Sequence, residues 1–176
     1  MRRDGGTGGG MLVAVVGPSG SGKDTLINAA RGPLGAQERF YFVRRVVTRA
    51  PLEGEDHEAI DDKTFATRQS AGAFALAWRA HGLQYGIPAE IGLPVAEGKI
   101  VVACVSRTVL TDAAARYPLH VVEIVASPDV LARRLAARGR DDAVGVAARL
   151  ARTIKLPEGL SCDTIVNDGT IEQGGR

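Results

Sequence analysis

Only two cysteines, Cys104 and Cys162, occur in this chain of 176 residues, too few for a metal cage or a disulfide framework. Cys104 lies in an apolar run and reads as a small core residue. Long apolar runs are missing as well. No stretch approaches the ~20 apolar residues that a membrane span needs, so no membrane partner is expected. Charge of one sign is lacking too: Lys and Arg number 22 against 20 Asp and Glu, a formal net charge of +2. A dedicated nucleic-acid binder needs clustered Lys and Arg to meet phosphates. Here the arginines are scattered, and no nucleic-acid partner is expected. Internal repeats and long linkers are absent. Residues 1–10 (MRRDGGTGGG) carry two arginines but no apolar core. They read as a disordered leader rather than a signal peptide, with Met11 an alternative start, and the cytoplasm is the expected compartment.

What is present suits one globular domain over residues 11–176. Hydrophobic residues make up 45% and charged residues 24%, at a length that buries most of its surface in a single core. Residues 12–16 (LVAVV) form a short, continuous, β-branched run closed by glycine, the pattern of a buried parallel strand. A helix is expected from Lys23 until Gly32-Pro33 stops it. Residues 40–47 read as a second strand, 48–58 as a polar loop and 61–70 as a short helix. Residues 74–79 alternate and lead into the turn His81-Gly82. Residues 88–97 read as a poor helix broken by Gly92 and Pro94. Residues 99–105 and 120–125 are further strands with a helix over 108–117 between them. Ser127-Pro128 fits an N-cap with proline in the first helical position, opening a helix to about 138. A polar stretch precedes another helix over 143–154, and 163–167 is a last strand. Alternating strands and helices predict an α/β fold with a mainly parallel sheet. Residues 40–87 could form a lobe over the cleft.

The chemistry is carried by Gly17-Pro18-Ser19-Gly20-Ser21-Gly22-Lys23, a G-x-x-x-x-G-K run between a predicted strand and a predicted helix, the context that this motif requires. The glycines let backbone N–H groups turn inward as an anion nest, and the helix N-terminus adds partial positive charge. Lys23 would then hold the β- and γ-phosphates of ATP. The position after the lysine, normally Ser or Thr and normally a Mg²⁺ ligand, is Asp24, with Thr25 next. Two readings stand side by side. Asp24 supplies a hard oxygen to Mg²⁺, or it favours the helix start while Thr25 takes the hydroxyl role.

The loop, then Thr48-Arg49 and Gly54-Glu55, resembles the guanylate kinase pattern, a P-loop NTPase-type three-layer fold with an acceptor lobe and an arginine lid. Tyr85-Gly86, Arg134-Leu135, Arg138-Gly139-Arg140, Arg149-Leu150 and Val166-Asn167-Asp168 follow in the same order, so the likeness runs from about 12 to 171. It breaks where guanine is read. Ala77, before Trp78, replaces an acidic residue, Leu52 replaces a second phosphate-gripping arginine, and the base-reading aspartate falls within 103–105. The aspartate after the loop lysine, with Thr48-Arg49, His57, Trp78, His81-Gly82, Ser106-Arg107 and Asn167-Asp168-Gly169, resembles the ribose 1,5-bisphosphate phosphokinases of bacterial phosphonate degradation. That resemblance implies ATP-dependent phosphorylation of ribose 1,5-bisphosphate to 5-phosphoribosyl 1-diphosphate, with Mg²⁺, on a small phosphorylated sugar. A homodimer stays open. The alternatives are a guanylate or other nucleoside monophosphate kinase, and an inactive guanylate-kinase-like binding module.

Within that frame Arg49 and Glu55 belong to the acceptor loop, Arg49 meeting the acceptor phosphate. Tyr85 would hydrogen-bond the same phosphate, and Ser106 and Arg107, ending a strong strand, lie where open α/β sheets bind ligands. His57 could orient the acceptor or simply occupy a surface loop. Trp78 reads as core and His81 as structural. Arg138 and Arg149 are expected to neutralise the transferring phosphoryl group and Arg140 to contact the nucleotide, from a lid at about 138–143 that closes and expels water.

Overall fold

The computed structural model describes residues 9–52, 54–137 and 156–169. At its centre is β1 (Met11–Val16), flanked in parallel by β7 (Ile100–Cys104) and β8 (Leu119–Val125). β2 (Phe40–Phe42) and β9 (Cys162–Val166) extend the sheet on either side, giving the order β2-β7-β1-β8-β9 with every pair parallel. A parallel strand covered on both faces must be apolar along its length. Leu12, Ala14, Val16, Val101, Ala103 and Val121 accordingly pack into one buried cluster.

Helix α1 (Lys23–Leu34) follows the glycine-rich loop. It does not stop at Gly32-Pro33 as expected but includes both. Pro33 lies in the last turn, where its missing N–H costs one bond, and the Gly35 N–H closes the turn on the Arg31 carbonyl at 2.8 Å.

Residues 40–47 are not one strand but two. β2 ends in the first sheet, where the Val43 N–H still bonds the Val102 carbonyl at 2.9 Å. The chain then crosses at Arg44, and β3 (Arg45–Val47) enters a second sheet. That sheet has the order β4-β3-β6-β5, with β4 (His57–Ala59), β5 (Phe74–Ala80) and β6 (Leu83–Pro88). β4, parallel to β3, lies within and just beyond the stretch expected to be loop. β5 and β6 form an antiparallel hairpin whose turn has positive φ at both His81 (52°) and Gly82 (73°), the geometry matching the strands' own twist. Helix α2 (Asp62–Ser70) packs on this lobe by stacking Phe65 on Phe74 of β5, and is capped by Asp61, whose Oδ1 accepts from the Thr64 N–H at 2.6 Å. Two short helices, α3 (Gly92–Ala96) and α4 (Leu110–Arg116), each continue a 3-10 turn, and α5 (Pro128–Ala137) follows β8. The helix expected over 143–154 and the lid at 138–143 lie outside the described residues.

Candidate active site

The loop leaves β1 in a conformation only glycine adopts readily. Gly17, Gly20 and Gly22 have φ of 150°, 85° and 89°. Space is short as well: a Cβ on Gly17 would sit 2.1 Å from the Ile124 carbonyl oxygen, and one on Gly22 2.4 Å from Asn167 Nδ2. Asn167, buried just after β9, donates from Nδ2 to the Ser21 carbonyl at 2.7 Å. The last strand of the sheet thereby braces the loop from below. Lys23 Nζ donates to the carbonyls of Gly17 (2.8 Å) and Pro18 (2.9 Å). Burial lowers its pKa from the ordinary lysine value, against the raising influence of the nearby Cys104 and Asp24.

The loop opens on a cleft of about 550 Å³ between the strand ends of the first sheet and the second-sheet lobe. Ser106 and Arg107, at the end of β7, line it together with Lys23 and Asp24. Arg107 is held through Nε by Glu123 of β8 at 3.2 Å. Arg49, Glu55, Trp78 and Tyr85 line it from the lobe. Arg49 forks onto Glu55 through two bonds of 2.7 and 2.9 Å. The Glu55 hydrogen bond raises the Arg49 pKa despite opposing burial, so the guanidinium stays charged.

Most of the sequence-predicted residues therefore meet in one place: the loop, Lys23, Asp24, Arg49, Glu55, Tyr85, Ser106 and Arg107. Three are placed elsewhere. Ser21 is fully buried beneath the loop. Thr25 is exposed and does not line the cleft. His57, read as an acceptor contact or a surface residue, is neither; its side chain is fully buried, and Nε2 lies 3.0 Å from the Arg49 carbonyl. It holds the acceptor loop from behind. Trp78, read as core, is half-buried against the main apolar cluster and also lines the cleft, stacked on Tyr85 with centroids 5.3 Å apart and planes 4° off parallel. His81 lines it too. Arg138, Arg140 and Arg149 lie outside the described residues.

Arg45 is a charged cleft residue that sequence reasoning missed, and Cys104, read as core, lines the same cleft. The Arg45 side chain is only 12% exposed and forms an ion pair with Asp24 at 2.9 Å. Its pKa is raised although burial opposes this, because the Cys104 sulfur and the Asp24 carboxylate favour the charged form. One signal was available: an arginine opening an otherwise apolar strand is rarely buried without a partner.

Among the described residues, no group of three or more His, Cys, Asp or Glu is arranged to hold a metal ion. Asp24 and Glu55 each face an arginine. The donor set fits a cation held mainly by nucleotide phosphates and waters, the usual state of Mg²⁺, with Asp24 the carboxylate that follows the loop lysine.

A glycine loop at the end of the central parallel strand, facing an arginine-bearing lobe across one cleft, defines a P-loop kinase with a guanylate-kinase-like fold. The solved guanylate kinase of Anaplasma phagocytophilum superposes with a TM-score of 0.67, covering 94% of this chain and 80% of its own at 20% identity. Curated ribose 1,5-bisphosphate phosphokinases match along nearly the whole length. That of Brucella melitensis is 48% identical over 167 residues, 94% of this chain and 86% of its own. That of Methylobacterium radiotolerans is 49% identical over 166 residues, 93% and 92% of the two chains. The chain belongs to the ribose 1,5-bisphosphate phosphokinase family. No protein-family model matches it.

Proposed function

We propose that the chain transfers the γ-phosphoryl group of ATP to the 1-phosphate of ribose 1,5-bisphosphate, giving 5-phosphoribosyl 1-diphosphate and ADP. An oxygen of the 1-phosphate attacks the γ-phosphorus, and the bond from that phosphorus to the bridging oxygen of ADP breaks. The acceptor oxygen already carries negative charge, so no strong general base is required. Catalysis then rests on alignment and on neutralising the charge brought together. The backbone N–H groups of the loop cradle the donor phosphates. Lys23 gives up the Gly17 and Pro18 carbonyls for phosphate oxygens, and Arg49 takes an acceptor phosphate, with Glu55 fixing its fork. Mg²⁺, when bound, would supply further charge neutralisation.

The observation that carries this reading is the character of the acceptor half of the cleft. It presents Arg45, Arg49 and Arg107, and both carboxylates that line it, Asp24 and Glu55, are tied to arginines. Such a wall suits an anionic sugar and leaves the N–H groups of a guanine unpaired, at ~1–3 kcal/mol each. An acceptor screen with ATP and Mg²⁺ tests it. Ribose 1,5-bisphosphate should turn over, and GMP should do so at least about a hundredfold less efficiently; preference for GMP would overturn the reading.

A further inference from the structure

Arg45 opens β3 and is nearly shut off from water, which a guanidinium tolerates only with partners for its charge. One nitrogen of its five-donor fork, Nη2, serves both oxygens of Asp24, at 2.9 and 3.1 Å. Asp24 directly follows Lys23, so this pair joins the phosphate loop to the first residue of the lobe's sheet. The same side chain lines the cleft that Lys23 and Arg49 line.

The cleft thus contains two arginine–carboxylate pairs, Arg45 with Asp24 and Arg49 with Glu55. They stand at opposite ends of one short run of chain. Arg45 is the first residue of β3 and Arg49 lies in the bend just past its end at Val47, and both side chains line the cleft. A monophosphorylated acceptor needs one such clamp. An acceptor with a phosphate at each end of a sugar ring needs two.

We propose that Arg45 is a second phosphate clamp of the acceptor site and Asp24 its positioning residue, so that Arg45 and Arg49 each hold one phosphate of a doubly phosphorylated sugar. This rests on the acceptor reading given above. It also gives the acidic residue after the loop lysine a reason of its own: Asp24 reaches the substrate through Arg45, and its bearing on any metal is indirect.

The test combines calorimetric titration without nucleotide and steady-state kinetics on the full chain. Wild type should bind ribose 1,5-bisphosphate more tightly than ribose 5-phosphate. Arg45→Gln should weaken the bisphosphate at least about 30-fold and leave it no tighter than the monophosphate, with ATP affinity unchanged as the check on folding. Arg45→Lys should recover part of the loss. Asp24→Asn should raise the acceptor KM more than it lowers kcat, with its Mg²⁺ titration superimposed on that of wild type. Asp24→Asn combined with Arg45→Gln should be no worse than Arg45→Gln alone, because Asp24 acts through Arg45. Equal losses for both sugars, an unchanged bisphosphate affinity, additive effects in the double variant or a shifted Mg²⁺ titration for Asp24→Asn would each overturn the proposal. Wild type that ignores the bisphosphate and phosphorylates a nucleoside monophosphate would instead sink the acceptor reading, and the clamp with it.

Discussion

Lys23 Nζ hydrogen-bonds two carbonyls of its own loop, and its ammonium is buried at a desolvation cost that lowers its pKa. Its value must therefore lie in function. Lys23→Ala should lower kcat/KM by at least ~10³, about 4 kcal/mol of transition-state stabilisation, while thermal unfolding shifts by only a few degrees. Turnover within about tenfold of wild type would remove Lys23 from the mechanism. Arg49 differs because its fork is already matched by Glu55. Arg49→Ala should raise the acceptor KM strongly and leave the KM of ATP nearly unchanged; a fall in ATP affinity instead would move Arg49 to the donor side. Residues of this kind differ in how far sequence reveals them. The loop is a contiguous motif whose every position has a backbone reason, and it was legible. The partner of Asp24 is 21 positions away on a strand of another sheet, and neither propensity nor periodicity links the two. His57 was misplaced because a polar neighbourhood suggests exposure, whereas its ring supports the turn that presents Arg49.

At the level of elements, α1 shows how one helix serves two sites. Asp24, Asn28 and Arg31 fall at helical spacing on one face. Asp24 pairs with Arg45, Asn28 Nδ2 donates to the Gly54 carbonyl at 2.9 Å, and Arg31 pairs with Asp56. The helix that begins at the phosphate loop thus carries a polar stripe that meets the acceptor lobe. The last strand acts from the other side through Asn167. Asn167→Ala should leave the buried Ser21 carbonyl with only the long 3.5 Å bond from Arg134 Nη1, cost about 1–3 kcal/mol and raise the KM of ATP more than that of the acceptor. Urea unfolding together with the two KM values would show it, and equal effects on both substrates would mean general destabilisation only. The central strands β1 and β7 of the first sheet were legible because burial makes them continuous apolar runs. The lobe was less so. β3 and β4 are three residues each, too short for a period to show, and they exist because partners distant in sequence supply the hydrogen bonds.

For the molecule as a whole, the question is what holds the lobe against the core, since transfer requires both halves of the cleft in register. Besides the Asp24–Arg45 pair, the Asn28–Gly54 bond and a 2.7 Å bond from Arg116 Nη1 to the Ala75 carbonyl of β5, a further contact is centred on Asp56. It pairs with Arg31 of α1 and accepts from Nε of Arg44, at the crossing between the two sheets, at 3.0 Å. Arg44 also reaches the His57 carbonyl at 3.3 Å. The Arg31 hydrogen bond, and then the charges of both arginines, hold the Asp56 pKa below its ordinary value despite opposing burial. Asp56 is 38% exposed, so solvent screens the network and its worth is about 1 kcal/mol. For a chain of this size, Asp56→Ala should lower Tm by roughly 2–4 °C at pH 7. The pH dependence follows from the depressed pKa. The stabilisation is fully present above the unfolded-state value of roughly 4 and is lost as pH falls through the lower folded value. The Tm gap between Asp56→Ala and wild type should therefore close as pH drops below about 4. Acceptor KM should rise in the variant at pH 7 while ATP binding holds, because Asp56 lies outside the phosphate loop and links the lobe to α1. A Tm gap that persists unchanged at low pH would show that the loss comes from something other than the Asp56 charge. Unaltered acceptor KM beside a lowered Tm would mean that the lobe keeps its register without this contact, leaving the Asp24–Arg45 pair, the Asn28–Gly54 and Arg116–Ala75 bonds and the shared core to set it.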